Sequence, residues 1–230
     1  MTAVGFKSAT IQPFAPDGTL LCPPIVVEGT KDKGATVSAE ITGLSKDQTK
    51  TSGSNIGYYT SRKGTGDVSV DFGLLDLPED ASDIILGYYK PKKIAYIGDN
   101  TEAPYCSVLL ESENMQGEKS MMGFFTGTFT REKISLNTLD VTKSFEPEAD
   151  SYTFSASNAT HAGDQKGQVI GKYVGTEEEE LKALHDQVLN PDNKEVPEVT
   201  EKPDTPGSDA NNTGSEAPAD DSSAAAGGAE

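Results

Sequence analysis

Alternation of apolar and polar side chains runs through the first three-quarters of the chain. Ala35, Val37, Ala39 and Ile41 alternate with Thr36, Ser38, Glu40 and Thr42, and Val68, Val70 and Phe72 alternate with Ser69 and Asp71. Tyr152, Phe154 and Ala156 alternate with Ser151, Thr153, Ser155 and Ser157. A period of two puts one face on a core and the other in water, the mark of a half-buried strand. Strands are therefore predicted over Gly5–Ile11, Leu20–Gly29, Gly34–Leu44, Asp67–Leu75, Lys93–Ile97, Tyr105–Glu111, Ser120–Thr130 and Ser151–Ser157, with a last short one over Gly167–Val174. Gly and Pro mark the joins at Pro16-Asp17-Gly18, Gly98-Asp99-Asn100 and Gln116-Gly117. Pro23-Pro24 holds the first half of the second strand to an edge or an irregular path.

Two segments carry a helical period instead. Leu77 to Gly87 has Pro78 at a first turn, Glu79, Asp80 and Asp83 near the positive end of the helix dipole, and Gly87 as a stop. Its predicted buried face is Ala81, Ile84 and Ile85. From Thr176, a capping box Thr176-Glu177-Glu178-Glu179 precedes a stripe of Leu181, Leu184 and Val188, and Asn190-Pro191 ends it. The acidic run Glu177–Glu180 reads as a helix start rather than a metal site.

One stretch follows neither period. Ser45 to Gly66, 22 residues, separates two clean strands and reads as a structureless loop. Loops of this length inside a compact domain are uncommon and usually functional or disordered. It carries Tyr58-Tyr59 and a positive balance, Lys46, Lys50, Arg62 and Lys63 against Asp47, in a chain of net charge −18. A basic, aromatic loop on an acidic body points to contact with a partner.

All sixteen Phe and Tyr residues lie at or before Tyr173, which places the packed body there. The expected organisation is a β domain over 1–175, a C-terminal helix over 176–190 and an acidic tail over 191–230. The tail holds ten acids against Lys194 and Lys202, too polar to offset its ordering entropy, and is expected to be disordered. Clustered Lys and Arg of the kind that binds phosphate backbones is missing from the overall balance, so ordinary nucleic-acid binding is not expected. Cys22 and Cys106 form neither a disulfide framework nor a zinc pattern and are expected as reduced thiols. No signal peptide or membrane-length apolar run is visible, so a soluble protein of a reducing cytoplasm is expected.

Catalytic chemistry finds no constellation. His161 and His185, the only histidines, lack metal-ligand spacing and read as exposed polar residues. The chain has no GxSxG, HExxH, CxxC or GxxxxGK[ST] pattern, and Gly64-Thr65-Gly66 is loop punctuation. Glu111/Glu113 and Glu146/Glu148 reflect general acidity, and Asp99-Asn100-Thr101-Glu102 reads as a turn. No enzyme, cofactor or metal is expected.

Distributed blocks carry a resemblance. Lys31-Asp-Lys-Gly-Ala-Thr-Val-Ser-Ala-Glu-Ile-Thr-Gly-Leu44, Gly53-Ser-Asn-Ile-Gly-Tyr-Tyr59, Gly66-Asp-Val68 and Leu74-Leu-Asp-Leu-Pro78 are followed by Ile94-Ala-Tyr-Ile-Gly98, Pro104-Tyr-Cys-Ser-Val-Leu-Leu-Glu-Ser112, Gly117-Glu-Lys119 and Phe145-Glu-Pro-Glu-Ala-Asp150. In that order, over about Gly5 to Tyr173, they resemble the major tail (tail tube) proteins of long-tailed, non-contractile bacteriophages. The resemblance implies a mainly β fold, a β-sandwich or barrel-like tail-tube body with one short packed helix. It implies a virion protein, assembled in the host cytoplasm, forming homohexameric rings stacked into a tube. Through the lumen the genomic DNA passes without specific binding during ejection. Tape-measure, tail-terminator and distal-tail proteins are the implied partners. A long loop between two strands reaches the adjacent ring in such proteins, and Ser45–Gly66 occupies that place. Lys46, Lys50, Tyr58, Tyr59, Arg62 and Lys63 are therefore the expected inter-ring contacts. The acidic tail stands where several family members carry an immunoglobulin-like domain, and is expected on the tube's outer surface. The alternative is a monomeric β-sandwich binding module for carbohydrate or protein.

Overall fold

All but one of the segments expected as strands form strands, four of them longer than their pattern suggests and four shorter. In the computed structural model, which describes residues 2–61, 63–139, 142, 144 and 146–192, the order is β1 (Ala3–Phe14), β2 (Ile25–Val27), β3 (Ala35–Thr42), β4 (Lys50–Gly53), β5 (Ile56–Thr60), β6 (Ser69–Leu75), α1 (Glu79–Leu86), β7 (Tyr105–Asn114), β8 (Lys119–Thr130), β9 (Asp150–Ser157), β10 (Ile170–Gly175) and α2 (Glu178–Leu189). The described residues fall in one unit, Met1–Val199; the second, Thr200–Glu230, lies outside them, as does the expected acidic tail after residue 192.

Eight strands form one antiparallel sheet in the order β2-β1-β7-β8-β9-β6-β3, with β10 also beside β8. β8 has β7 along one side, and β10 and then β9 along the other: Met122 faces Lys172, and Thr128 faces Ser155. The path curls, so that β3 at one end approaches β1 near the other, where the Thr36 hydroxyl donates to the Phe6 carbonyl at 2.8 Å. The mainly β body that the alternation predicts and the resemblance implies is thus present, as one large antiparallel sheet.

Two cores result, one on each face of β7 and β8. The larger holds Ile11, Val70, Phe72, Val108, Phe124, Phe129 and Phe154 with Ile85 and Leu86 of α1. The smaller packs Leu181, Leu184, Val188 and Leu189 of α2 on Leu109, Met121 and Phe125. Phe124 and Phe125 point to opposite faces, as neighbours on a strand must. Phe129 is five positions from Phe124 and would face the other way on a regular strand. A register shift between Cys106↔Gly127 and Val108↔Phe124 adds one residue to β8 and returns Phe129 to the larger core. There Phe129 and Phe154 lie 4.9 Å apart between centroids. A Cβ on Gly127 would come within 2.4 Å of Phe154 and 2.5 Å of the Ser155 carbonyl oxygen, so this crossing accepts only glycine.

Several expectations are corrected. Lys93–Ile97 is not a strand; only Tyr89 and Tyr96 pair, through two backbone bonds. Leu20–Gly29 shrinks to Ile25–Val27 because Pro23 and Pro24 withhold donors. In β3 a bulge between Thr36 and Ser38 turns Val37 outward, away from Ala39 and Ile41. α1 buries Ser82, Asp83, Ile85 and Leu86 and exposes Ile84, because the Ser82 hydroxyl meets the Tyr152 hydroxyl at 3.1 Å inside the sheet. α2 starts one residue later than a capping box requires: Glu177 is its N-cap and no side chain caps it. His161 is not exposed; its ring packs edge-on against Phe14 at 5.9 Å, and its Nδ1 lies 3.3 Å from Asp192. His185, by contrast, is exposed on α2 as expected. The Asp99-Asn100 turn forms, with Thr101 N–H donating to the Gly98 carbonyl.

Cys22 and Cys106 are free thiols. Burial pushes both up from the ordinary thiol range, with Cys22 adding a smaller upward effect on Cys106. In the folded protein, alkylation near pH 8 should modify Cys22 and reach Cys106 only on denaturation, read by mass spectrometry; equal rates in the native state would contradict this packing. Leu184→Ala should cost about 2–5 kcal/mol and Gly127→Ala about 1–3 kcal/mol in denaturant unfolding, the first by a cavity and the second by overpacking.

Candidate assembly surface

The loop Ser45–Gly66 is a correction with functional weight, because it folds. β4 and β5 pair with each other as a separate two-stranded sheet. Ser54 and Asn55 both take left-handed backbone, φ 51 and φ 64, the type I′ arrangement that suits the twist of a two-residue hairpin. The register passes from Ser52↔Gly57 to Thr51↔Tyr59, leaving Tyr58 as the extra residue of a bulge. Neither face of this ribbon rests on the core, so its sequence never needed the alternation that reveals a strand. The available signal was local: Ser54-Asn55 as a turn between two short segments.

The stem is fixed to the body. Ser61 N–H donates to the Thr49 carbonyl at 3.0 Å, and Gly66 N–H to the Gly43 carbonyl at 2.9 Å. Gly43 has φ +74, and a Cβ there would lie 2.0 Å from the Asp67 carbonyl oxygen, so the base closes only around glycine. The hairpin therefore leaves from a defined point.

Its side chains are presented to solvent. Tyr58 is 82% exposed, Tyr59 61% and Ile56 64%. Lys50 sits on β4, while Lys46 and Lys63 border one cleft at the stem with Asp47, Gln48 and Ser61. Lys46, Lys50 and Lys63 are exposed and make no ion pair among the described residues. Arg62 lies outside the described residues. Ile56 was not singled out from the sequence, since a lone Ile in a polar stretch carries no pattern.

A second basic, aromatic surface follows α1. Tyr89 and Tyr96 lie 6.3 Å apart between ring centroids, closed by their paired backbones, and both are exposed with Ile94 and Ile97. Lys90 turns back to Asp80 and Asp83, whose hydrogen bonds, Asp80 first, raise its pKa and hold its charge. Lys92 and Lys93 stay outward and unpaired among the described residues. The signal was present in Tyr88-Tyr-Lys-Pro-Lys-Lys-Ile-Ala-Tyr96, but part of it reads as a strand.

Opposite charge is available on the same chain. Glu177 to Glu180 are all exposed, at the start of α2. Beside the hairpin stem, an open groove of about 1020 Å³ is lined by hydroxyls and amides, Ser69, Ser155, Asn158 and Gln168 among them, with Lys63 and Asp67. Among the described residues no group of three or more His, Cys, Asp or Glu is placed to hold a metal ion, and no helix is long and apolar enough to cross a membrane. What the surface offers is contact: projecting aromatics, unpaired lysines and a carboxylate row.

No curated protein matches the chain. The family described as phage tail tube protein matches residues 22–182, which include the hairpin, both aromatic surfaces and the first turn of α2. With well over half of its length matched, the chain belongs to the phage tail tube protein family.

Proposed function

We propose that this protein forms hexameric rings that stack into a tube, with β4–β5 as the connector from one ring to the next. Family membership makes it a structural protein of the phage tail tube, hence of the virion, and one that assembles with copies of itself. Ring number, stacking and the passage of DNA during ejection are our reading. The observation that carries it is the hairpin: a folded ribbon, fixed at Gly43, that projects Ile56, Tyr58 and Tyr59 into solvent. Tyr gives a large contact area for little side-chain entropy, and such residues concentrate at the centres of interfaces. The unpaired lysines around them seek carboxylates, and the exposed run Glu177–Glu180 on a neighbouring ring has the required sign. In the lumen the same acidity serves the opposite end. A wall poor in clustered Lys and Arg gives DNA phosphates nothing to hold, so the duplex slides.

Assembly takes place in the host cytoplasm, where tape-measure, tail-terminator and distal-tail proteins set the tube's length and ends. The acidic tail 191–230, which lies outside the described residues from 193 on, is proposed to keep tubes apart by charge repulsion.

Removing Thr49–Lys63 should leave the body folded, with an unchanged far-ultraviolet spectrum, and yield rings or monomers instead of tubes by electron microscopy. Tubes of normal length from that variant would overturn the connector role. Charge is separable from aromatic contact. Lys46→Glu, Lys50→Glu and Lys63→Glu together should weaken stacking most at low salt, since added salt screens exposed charges. Tyr58→Ser with Tyr59→Ser should weaken it at every salt concentration. Charge reversal without effect at low salt would show that the lysines only face water.

A further inference from the structure

We propose that residues 133–138 act as a donated β-strand, added to the open edge of β10 on a second copy of this chain. The inference rests on the self-assembly read above and specifies a contact within it that the hairpin does not make.

The donor has a strand's pattern and no strand partner. Lys133, Ser135 and Asn137 alternate with Ile134 and Leu136, the period of two found in β3, β6 and β9. Among the described residues, no backbone group of 131–139 bonds to another backbone group. Its apolar side chains find no core: Leu136 is 93% exposed, Leu139 61% and Ile134 59%. Leu136 is the most exposed large apolar residue described, although it sits only six positions after the end of β8. The segment nevertheless leaves from a fixed point. Arg131 is nearly buried, lies 5.2 Å from the Tyr152 ring centroid and pairs with Asp150 at 2.5 Å.

The acceptor edge follows from the register. In an antiparallel pair, alternate residues turn their backbone groups toward the partner strand and the others turn away. Phe125 N–H donates to the Val169 carbonyl, so the pairs in phase with it, Gly171↔Gly123 and Tyr173↔Met121, face β8. Ile170, Lys172 and Val174 therefore turn their N–H and C=O groups outward, where no described backbone meets them. The other margins of the sheet are poorer acceptors. β2 has three residues, and β3 lies against β1. β10 offers six, enough for residues 133–138.

The same chain cannot easily make this pair itself. Residue 131 starts at the far end of β8, roughly 30 Å along the strand from the middle of β10 at about 3.3 Å per residue. β9 occupies the side of β8 between them, paired at Thr126–Thr130. A second copy meets neither obstacle, and strand addition to an open edge is a recurrent recognition mode.

The test compares amide hydrogen exchange of the full chain as monomer and as assembled tube. Amides of 134–138 and of Ile170, Lys172 and Val174 should slow together by about tenfold or more on assembly. Lys172→Pro removes an outward donor without touching a bond to β8, and should abolish both assembly and the protection at 134–138. Leu136→Asp guards against a folding defect: the residue touches almost nothing in the monomer, so the melting temperature should hold while assembly is lost. Wild-type tubes in which 134–138 exchange as fast as in the monomer would overturn the donated strand and leave the tube reading standing. Normal assembly of Lys172→Pro or Leu136→Asp would do the same. A wild-type chain that never assembles would overturn both.

Discussion

The fold depends on β8 serving two cores at once. Its twelve residues meet three neighbouring strands, and buried side chains leave both of its faces. A strand buried on both faces has no solvent side on which to hide an error of register. Its bulge is therefore a requirement: without the extra residue, Phe124 and Phe129 could not both enter the larger core. The glycines meet the same demand. At Gly123 a Cβ would fall 2.3 Å from a methyl of Val188, and at Gly127 it would strike Phe154, so helix and aromatic core reach the strand only where it has no side chain. Because β10 and β9 share one side of β8 in succession, the sheet branches, and the branch leaves the outer edge of β10 open.

The surface divides by sign in a way the core does not dictate. The chain carries −18, yet exposed lysines and tyrosines gather on the β4–β5 hairpin and the Tyr89–Tyr96 turn. Lys90 shows the contrast. It spends its charge at home on Asp80 and Asp83 and so ties the chain after α1 to that helix, whereas Lys92 and Lys93 two and three positions on do not. A cation unpaired within the subunit on an acidic body is attracted to any neighbouring copy of the same body. On the proposed reading, net repulsion keeps subunits apart except where a basic projection meets a carboxylate row in register.

What the sequence disclosed was what packing enforces. β6 and β9 bury one face each, so Val70, Phe72, Tyr152 and Phe154 stood at alternate positions and were legible. α2 buries Leu181, Leu184 and Val188, so its stripe was legible too, while its N-terminal cap, which costs the fold little, was not. The bulge at Val37 broke an alternation that looked perfect, because an extra residue is invisible to a pattern of period two. The hairpin was recognised as a place of contact from its length, charge and tyrosines, but its strands were not. A ribbon that buries nothing within one subunit imposes no pattern on its residues. His161 was missed for a related reason: an imidazole packed on Phe14 needs no ligand spacing, only an aromatic neighbour far away in sequence.

These omissions share a cause that bears on function. Open edges and exposed apolar side chains on a β protein are ordinarily hazards, which monomers suppress with charges, prolines or covering loops. Here Leu136 stands in solvent, Ile170, Lys172 and Val174 turn outward backbone that is unpaired among the described residues, and Ile56, Tyr58 and Tyr59 ride on a ribbon with no core of its own. None of them is accounted for by the stability of one subunit, and each has the chemistry of half a contact. On the reading proposed for this member of the phage tail tube protein family, the other half is supplied by a second copy. Features that would condemn a monomer to aggregation become ordered interfaces when their geometry is fixed, as Gly43 fixes the hairpin and Arg131 fixes the start of the Leu136 segment. On the proposed reading, the hairpin carries no strand pattern because its partner lies outside the chain that carries it.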